Sequence, residues 1–136
     1  DFPVQIAAEV KDFDPNLVIE NGKDIKKMDR FIQFGLKAAT EAMKDANFSE
    51  NADELGYESE SFGIVSAAGI GGLPNIERNS NVCLEKGPKR VSPFFIPSAL
   101  VNMLGGFVSI THNLKGPNLS NVTACAASTH AICEAA

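Results

Sequence analysis

The sequence predicts an α/β fold whose sheet is mixed or largely parallel, and three observations lead to this prediction. A long amphipathic pattern indicates a helix over residues 24–46, and a buried-looking strand follows at residues 62–69. Two further helical patterns come next, and a second strand within residues 116–124 then leads into a helix that begins at Cys125. Strands that alternate with helices are typical of α/β proteins.

The composition is that of a single globular domain over residues 1–136. Of the 136 residues, 44% are hydrophobic and 21% are charged, which is enough for one sizeable core. The net charge of −5 argues against a general nucleic-acid binder, and no apolar run is long enough to cross a bilayer. The first residue is Asp1 rather than Met, so we expect the natural N-terminus to be missing or processed.

The cysteines indicate a reducing environment. Cys83, Cys125 and Cys133 are an odd number with no close pairing pattern, which favours a cytoplasmic protein over a disulfide-linked one. No cysteine and histidine spacing matches a zinc site, so we expect no metal.

The N-terminal half contains one strand and one clear helix. Residues 4–13 read as a short strand, and turn residues follow. The helix predicted over residues 24–46 has Asp24 as its N-cap. Its apolar stripe recurs at intervals of three and four residues and comprises Met28, Phe31, Ile32, Gly35, Leu36, Ala39, Met43 and Ala46.

The rest of the chain alternates loops with regular elements. Residues 49–61 are an acidic, solvated loop with room for one helical turn. A helix is indicated over residues 75–86 and ends at Gly87. A proline-punctuated loop, residues 88–98, carries two aromatics that we expect to be exposed, and another helix starts at Pro97.

Cys125 stands where a strand runs into a helix. The first turn of a helix offers free N–H groups and a partial positive charge, which favour a thiolate and can hold an oxyanion. Its small neighbours would let a substrate approach closely; they are Ala124, Ala126, Ala127 and Ser128. The alternative is a cysteine that is simply packed as a small apolar residue.

The other cysteines and both histidines have no assigned chemistry. We expect Cys83 and Cys133 to pack against neighbouring residues. His130 follows Cys125 by five residues, a spacing that does not place two side chains on one helical face, so a structural role is favoured. His112 ends a predicted helix and serves at most as its cap.

Two further motifs allow a functional and a structural interpretation. The glycines at residues 69–72 lack both the GxGxxG spacing and a Walker lysine, so tight backbone packing is favoured over phosphate binding. Lys23, Lys26, Lys27 and Arg30 are either one solvated face or a patch for an acidic partner.

Four motifs occur in an order that resembles a known family. They are "KMDRFIQFG" (27–35), "GIGGL" (69–73), "SPFFIPSALVNM" (92–103) and "GPNLSNVTACAAS" (116–128). Together they resemble the β-ketoacyl-acyl-carrier-protein synthases, most closely the elongating type II condensing enzymes. The resemblance implies the thiolase-like fold of α-β-α-β-α layers, with only part of its first half in this chain, and it implies a homodimer.

The same resemblance implies an activity that needs no cofactor. A cysteine takes an acyl chain from acyl carrier protein, malonyl-acyl carrier protein loses carbon dioxide, and the resulting carbanion attacks the thioester. Cys125 matches the nucleophile, and its N–H matches half of the oxyanion hole. Residues that match the acyl pocket are Ile70, Phe95, Ile96, Leu100 and Ala124, and those that match the carrier-docking region are Lys23, Lys26 and Lys27.

The family's two catalytic histidines, its lysine and its second oxyanion loop match nothing in these residues. We therefore expect this chain to be an N-terminal fragment that is inactive by itself. Two alternatives remain open: a ketosynthase domain of a polyketide synthase, and a non-catalytic homologue that acts as a binding partner.

Overall fold

A computed structural model of the protein describes residues 2–19, 22–48 and 58–136. It contains six α-helices and two strands in these ranges. In chain order they are α1 (Gly22–Ile25), α2 (Arg30–Asp45), β1 (Ile64–Ala67), α3 (Leu73–Lys86), α4 (Phe95–Ala99), α5 (Met103–His112), β2 (Asn118–Asn121) and α6 (Ala127–Ala135).

The two strands pair in parallel, as the α/β prediction requires. Ile64 lies opposite Asn118 and Ala67 lies opposite Asn121, and the chain crosses between them through α3, α4 and α5. The amide of Ala68 donates to the carbonyl of Asn121 at 3.3 Å and extends the pairing by one bond. Since both strands run the same way, their carboxyl ends meet at one edge of the sheet.

The core lies between α2 and α5. Gly35 on α2 has no side chain, and its Cα faces the side chain of Leu104 on α5 so closely that a Cβ would collide with it. Close backbone approach of this kind lets the two helices bury a common apolar cluster. That cluster comprises Ile19, Met28, Ile32, Leu36, Leu104, Val108 and Leu114.

The prediction of one long helix over residues 24–46 is wrong, because the chain forms two helices there. Asp24 lies within α1 and is not an N-cap, and the backbone at Asp29 is extended, with φ −73° and ψ 165°. The Asp29 carboxylate accepts a 2.6 Å hydrogen bond from the amide of Arg30 and so caps α2. The apolar stripe concealed this break, since Met28 and Ile32 are both buried on either side of it.

The prediction of a single helix that starts at Pro97 is also wrong. Pro97 lies inside the short helix α4, and an extended Leu100 (φ −70°, ψ 134°) separates α4 from α5. Both aromatics of the preceding loop were expected to be exposed. Phe94 is 42% exposed, whereas Phe95 begins α4 and is half-buried.

The strand expected at residues 4–13 does not form in the described part of the chain. The segment packs on α2 instead: Phe13 meets Phe34 edge to face with ring centroids 4.8 Å apart, and Arg30 donates to the carbonyl of Val10 at 3.2 Å. A strand needs a neighbouring backbone to complete its hydrogen bonds, and neither β1 nor β2 provides one here.

Other element predictions are confirmed. The helical turn expected in the acidic loop is the 3₁₀ turn Ser59–Ser61, while residues 49–57 of that loop lie outside the described residues. Helix α3 ends at Gly87, whose φ of 83° suits glycine. None of the helices in the described ranges combines the length and apolar character that a membrane span requires.

Candidate active site

Cys125 lies in a one-turn 3₁₀ helix, Ala124–Ala126, that joins β2 to α6. The turn is closed by the amide of Ala126, which donates to the carbonyl of Thr123 at 3.0 Å. The Cys125 thiol is exposed and free, and α6 begins two residues later, at Ala127. Strand, cysteine and helix follow in the expected order, but the helix expected to begin at Cys125 begins at Ala127, because a 3₁₀ turn comes first.

The glycine-rich loop after β1 lies against this turn. A Cβ built on Gly69 would be 3.6 Å from the carbonyl oxygen of Ala124, an ordinary van der Waals contact. The contact arises because β1 and β2 end at the same edge of the sheet. Ile70 comes next in the loop and is 66% exposed, so it lies near the cysteine turn with much of its side chain uncovered.

The other end of the same loop contacts the α4–α5 junction. The amide of Gly72 donates to the carbonyl of Ala99 at 3.0 Å. Gly71 has a φ of +82°, and a Cβ there would approach the same oxygen to 2.7 Å, so the position requires glycine. The loop thus connects the cysteine turn to the residue just before Leu100.

The predicted acyl-pocket residues fall on both sides of this loop. Ala124 and Ile70 lie on the cysteine side, whereas Phe95, Ile96 and Leu100 belong to α4 and its end. Helix α4 buries Ser98 and Ala99 and leaves Ile96 56% exposed and Leu100 46% exposed. The described residues form clefts of about 260 and 630 Å³, and neither is lined by Cys125 or by these five residues.

His130 belongs to a polar network that joins β2 to α6. Its Nε2 lies 3.2 Å from Glu134 Oε1, and its Nδ1 lies 3.5 Å from Thr123 Oγ1. Asn121 donates from Nδ2 to Glu134 Oε2 at 3.0 Å. The sequence patterns above did not single out Thr123, Glu134 or Asn121. His130 and Glu134 are four residues apart, however, a spacing at which two side chains meet on a helix.

His112, the last residue of α5, is buried against α2. Thr40 Oγ1 donates to the carbonyl of Leu36 at 2.9 Å and lies 3.1 Å from His112 Nε2. A hydroxyl has one proton, so Nε2 is the donor in the second bond. Asn113, in a left-handed conformation, takes the capping position that the sequence analysis allowed to His112.

The expectation that Cys83 and Cys133 are packed is wrong. Both are exposed and free in the structure. Helix α6 buries Ala127 and Ala131, four residues apart, and this spacing turns Cys133 away from the buried face.

The lysines predicted to dock the carrier occupy α1 and the connection to α2. Lys27 Nζ pairs with Asp24 and lies 5.6 Å from the centroid of the Phe94 ring. Lys26 is exposed and lines the 260 Å³ cleft with Arg30 and Arg78. The sequence analysis missed Arg78 and two more exposed cations, Lys89 and Arg90, in the turn that precedes Phe94. Among the described residues, no group of three or more His, Cys, Asp or Glu side chains is placed to hold a metal.

Comparison with known proteins extends over almost the whole chain. The model of the β-ketoacyl synthase N-terminal domain matches residues 3–136. The chain is 47% identical over 135 residues to 3-oxoacyl-[acyl-carrier-protein] synthase 2 of Coxiella burnetii. It is 41% identical over 135 residues to the enzyme of the same name in Vibrio cholerae. Both alignments cover 99% of this chain. It spans 31% of the length of each of these relatives.

A solved structure has a similar fold. It is a chain of the AntDE:AntF complex, a type II polyketide synthase acyl-carrier protein with its ketosynthase bound to the hexaketide. The TM-score is 0.78 at 24% identity, with 90% of this chain and 34% of that chain covered. The expected ketosynthase fold and the resemblance in the ordered motifs are both confirmed, and the chain belongs to the β-ketoacyl synthase family, whose N-terminal domain it matches.

Proposed function

We propose that the whole protein is a β-ketoacyl-acyl-carrier-protein synthase that elongates fatty acyl chains. The observation that carries the proposal is the exposed Cys125 thiol in the turn between β2 and α6. Relatives named 3-oxoacyl-[acyl-carrier-protein] synthase 2 support the choice of substrate and carrier.

The first half-reaction transfers the acyl group to Cys125. The thiolate attacks the thioester carbonyl, the bond from that carbon to the carrier sulfur breaks, and the carrier leaves as a thiol after taking up a proton. The N–H of Cys125 holds the negative oxygen of the tetrahedral intermediate. In the second half-reaction malonyl carrier loses carbon dioxide, and the electron pair of the broken C–C bond forms a carbanion. The carbanion attacks the acyl carbon, and Cys125 leaves as a thiolate.

The acyl chain is proposed to lie along Ile70, Phe95, Ile96, Leu100 and Ala124. The exposed apolar surface of Ile70, Ile96 and Leu100 supports this role, because each methylene removed from water contributes about 0.8 kcal/mol. Phe95 and Ile96 are proposed to reach the pocket of a second subunit, in a cytoplasmic homodimer. The exposure of Ile96 supports contact with a second subunit. The three free cysteines support a cytoplasmic location.

Lys23, Lys26 and Lys27 are proposed to dock the acidic carrier protein. Exposed Lys89 and Arg90 extend the same positive charge towards Phe94, in a chain whose net charge is −5. A local basic surface on an acidic protein favours encounter with an acidic partner.

The proposal is tested by condensation in the full-length protein. Acyl and malonyl carriers should give carbon dioxide and a β-ketoacyl carrier two carbons longer. Cys125→Ser should lower this rate by more than about a hundredfold, because a serine hydroxyl without an activating base is a weak nucleophile. Cys133→Ser is the matched control and should retain activity. Equal losses in both variants would refute the assignment.

A further inference from the structure

We propose that Asp29 is a positioning residue that fixes the loop Gly69–Gly72 over the Cys125 turn, an inference that rests on the function proposed above. Asp29 lies at the break between α1 and α2, two residues after Lys27. Its two carboxylate oxygens serve two different helices.

One oxygen caps α2 and the other caps α3. Oδ1 accepts from the amide of Arg30 at 2.6 Å, and Oδ2 accepts from the amide of Asn75 at 3.1 Å. Asn75 is in the first turn of α3, and the N-cap of that helix is Gly72, which has no side chain to accept a hydrogen bond. Asp29 therefore supplies from another helix the capping carboxylate that α3 lacks, where negative charge is also favoured by the helix dipole.

Gly72 cannot provide its own cap, because there is no room for a side chain. A Cβ at this position would be 2.7 Å from Asp29 Oδ2 and 2.7 Å from the Cα of Ala99. The backbone of Asp29 reinforces the same junction, since its amide donates to the carbonyl of Ser98 at 3.4 Å. Asp29 thus holds both the end of the loop and the end of α4.

The loop held in this way reaches the nucleophile. Gly72 is its last residue, and Gly69, its first, contacts the backbone of Ala124 beside Cys125. Ile70 lies between these two fixed points. If the cap on α3 is lost, the end of the loop loses a charge-assisted hydrogen bond. It is then held by backbone bonds alone, such as that from Gly72 to Ala99, and the position of Ile70 relative to the thiol is less tightly fixed.

The test compares acyl transfer in the full-length protein with hexanoyl and dodecanoyl carriers. Asp29→Asn still offers one oxygen to cap α2. Its NH₂ group then faces the N–H of Asn75, so two donors meet where the carboxylate oxygen of Asp29 accepted a hydrogen bond. Asp29→Ser also caps α2 and is too short to reach Asn75. Both variants should lower the dodecanoyl-to-hexanoyl rate ratio by about tenfold, the lower end of the effect of one hydrogen bond to a charged group, because the longer chain is proposed to extend further along the apolar residues that include Ile70.

A ratio of two rates does not depend on the folded fraction, so a merely structural role would leave it unchanged. Asp45→Asn makes the same change at the far end of α2, where the side chain is exposed, and should keep the original ratio. If the transfer rates fell equally with both carriers, or if Asp45→Asn shifted the rate ratio as much, the role of Asp29 would be overturned. The proposed function would still stand. Absence of transfer to Cys125 in the unaltered protein would overturn the proposed function and this role with it.

Discussion

Backbone strain in the described part of this chain occurs immediately beside Cys125, the proposed nucleophile. Within residues 2–19, 22–48 and 58–136, four non-glycine residues have positive φ, and three of them, Asp12, Asn47 and Asn113, are of the types that tolerate it. The fourth is Ala124, with φ 49°. A left-handed alanine persists only where its surroundings hold it, and here the backbone of Ala124 lies close to Gly69. The tight turn that results presents the Cys125 thiol outwards.

This strain gives a prediction at the residue scale. Ala124→Val should lower the free energy of unfolding by about 1–3 kcal/mol, because a β-branched residue is poorly accommodated at positive φ. It should also slow acylation of Cys125. Urea unfolding and acyl-transfer rates measure the two effects.

The matched control is Ala126→Val. Ala126 is also exposed, but its φ is −90°, so we expect a change within about 0.5 kcal/mol. Equal destabilisation by the two substitutions would mean that the conformation of Ala124 is not strained.

Among the helices, the most consequential feature is the break between α1 and α2. It places Lys26 and Lys27 in a connection rather than on a helical face, and the side chains differ in their contacts. Lys27 is held by Asp24 and by the Phe94 ring, whereas Lys26 is exposed at the rim of the 260 Å³ cleft. Of these two, Lys26 is therefore the better placed to meet an approaching carboxylate.

Charge reversal at Lys26 tests the proposed docking surface. Lys26→Glu should raise the KM for the acyl carrier by about two- to fivefold, the range for one exposed ion pair, and leave kcat unchanged. The difference should shrink as salt is added.

Lys44→Glu is the control for this substitution. Lys44 lies in the last turn of α2 and is exposed, and its reversal should leave the KM within about twofold. If Lys44→Glu raised the KM as much as Lys26→Glu, net charge rather than a docking surface would govern the carrier encounter.

For the molecule as a whole, the family and the alternation of strands and helices from β1 onwards follow from the sequence, but the breaks between neighbouring helices do not. The cysteine turn was predictable because a β-favouring stretch meets a run of small residues at Cys125. The break at Asp29 was not, because it depends on an amide 46 residues away, that of Asn75. The contact of Gly69 with Ala124 likewise depends on which strands pair. The strand at residues 4–13 failed for the same reason, since periodicity does not show whether a neighbouring strand is present.

The chain also leaves a large apolar surface uncovered. It spans 31% of the length of each of the two relatives compared. Large apolar side chains are exposed on the loop after β1, on α4 and its flanks, and on β2 and α6, namely Ile70, Phe94, Ile96, Leu100, Leu119, Val122 and Ile132. Apolar surface of this kind marks a region that binds another protein surface or a ligand. This is the basis for studying acyl transfer in the full-length protein.

Whether Cys125 accepts the acyl group is tested most directly by finding which residue carries that group after transfer. Full-length protein is incubated with an acyl carrier in the absence of malonyl carrier, digested, and analysed by peptide mass spectrometry. We predict one acylated peptide, carrying the group on Cys125, and its loss in Cys125→Ala. Acylation of Cys83 or Cys133 instead, or none in a well-folded protein, would contradict the account and favour a non-catalytic homologue.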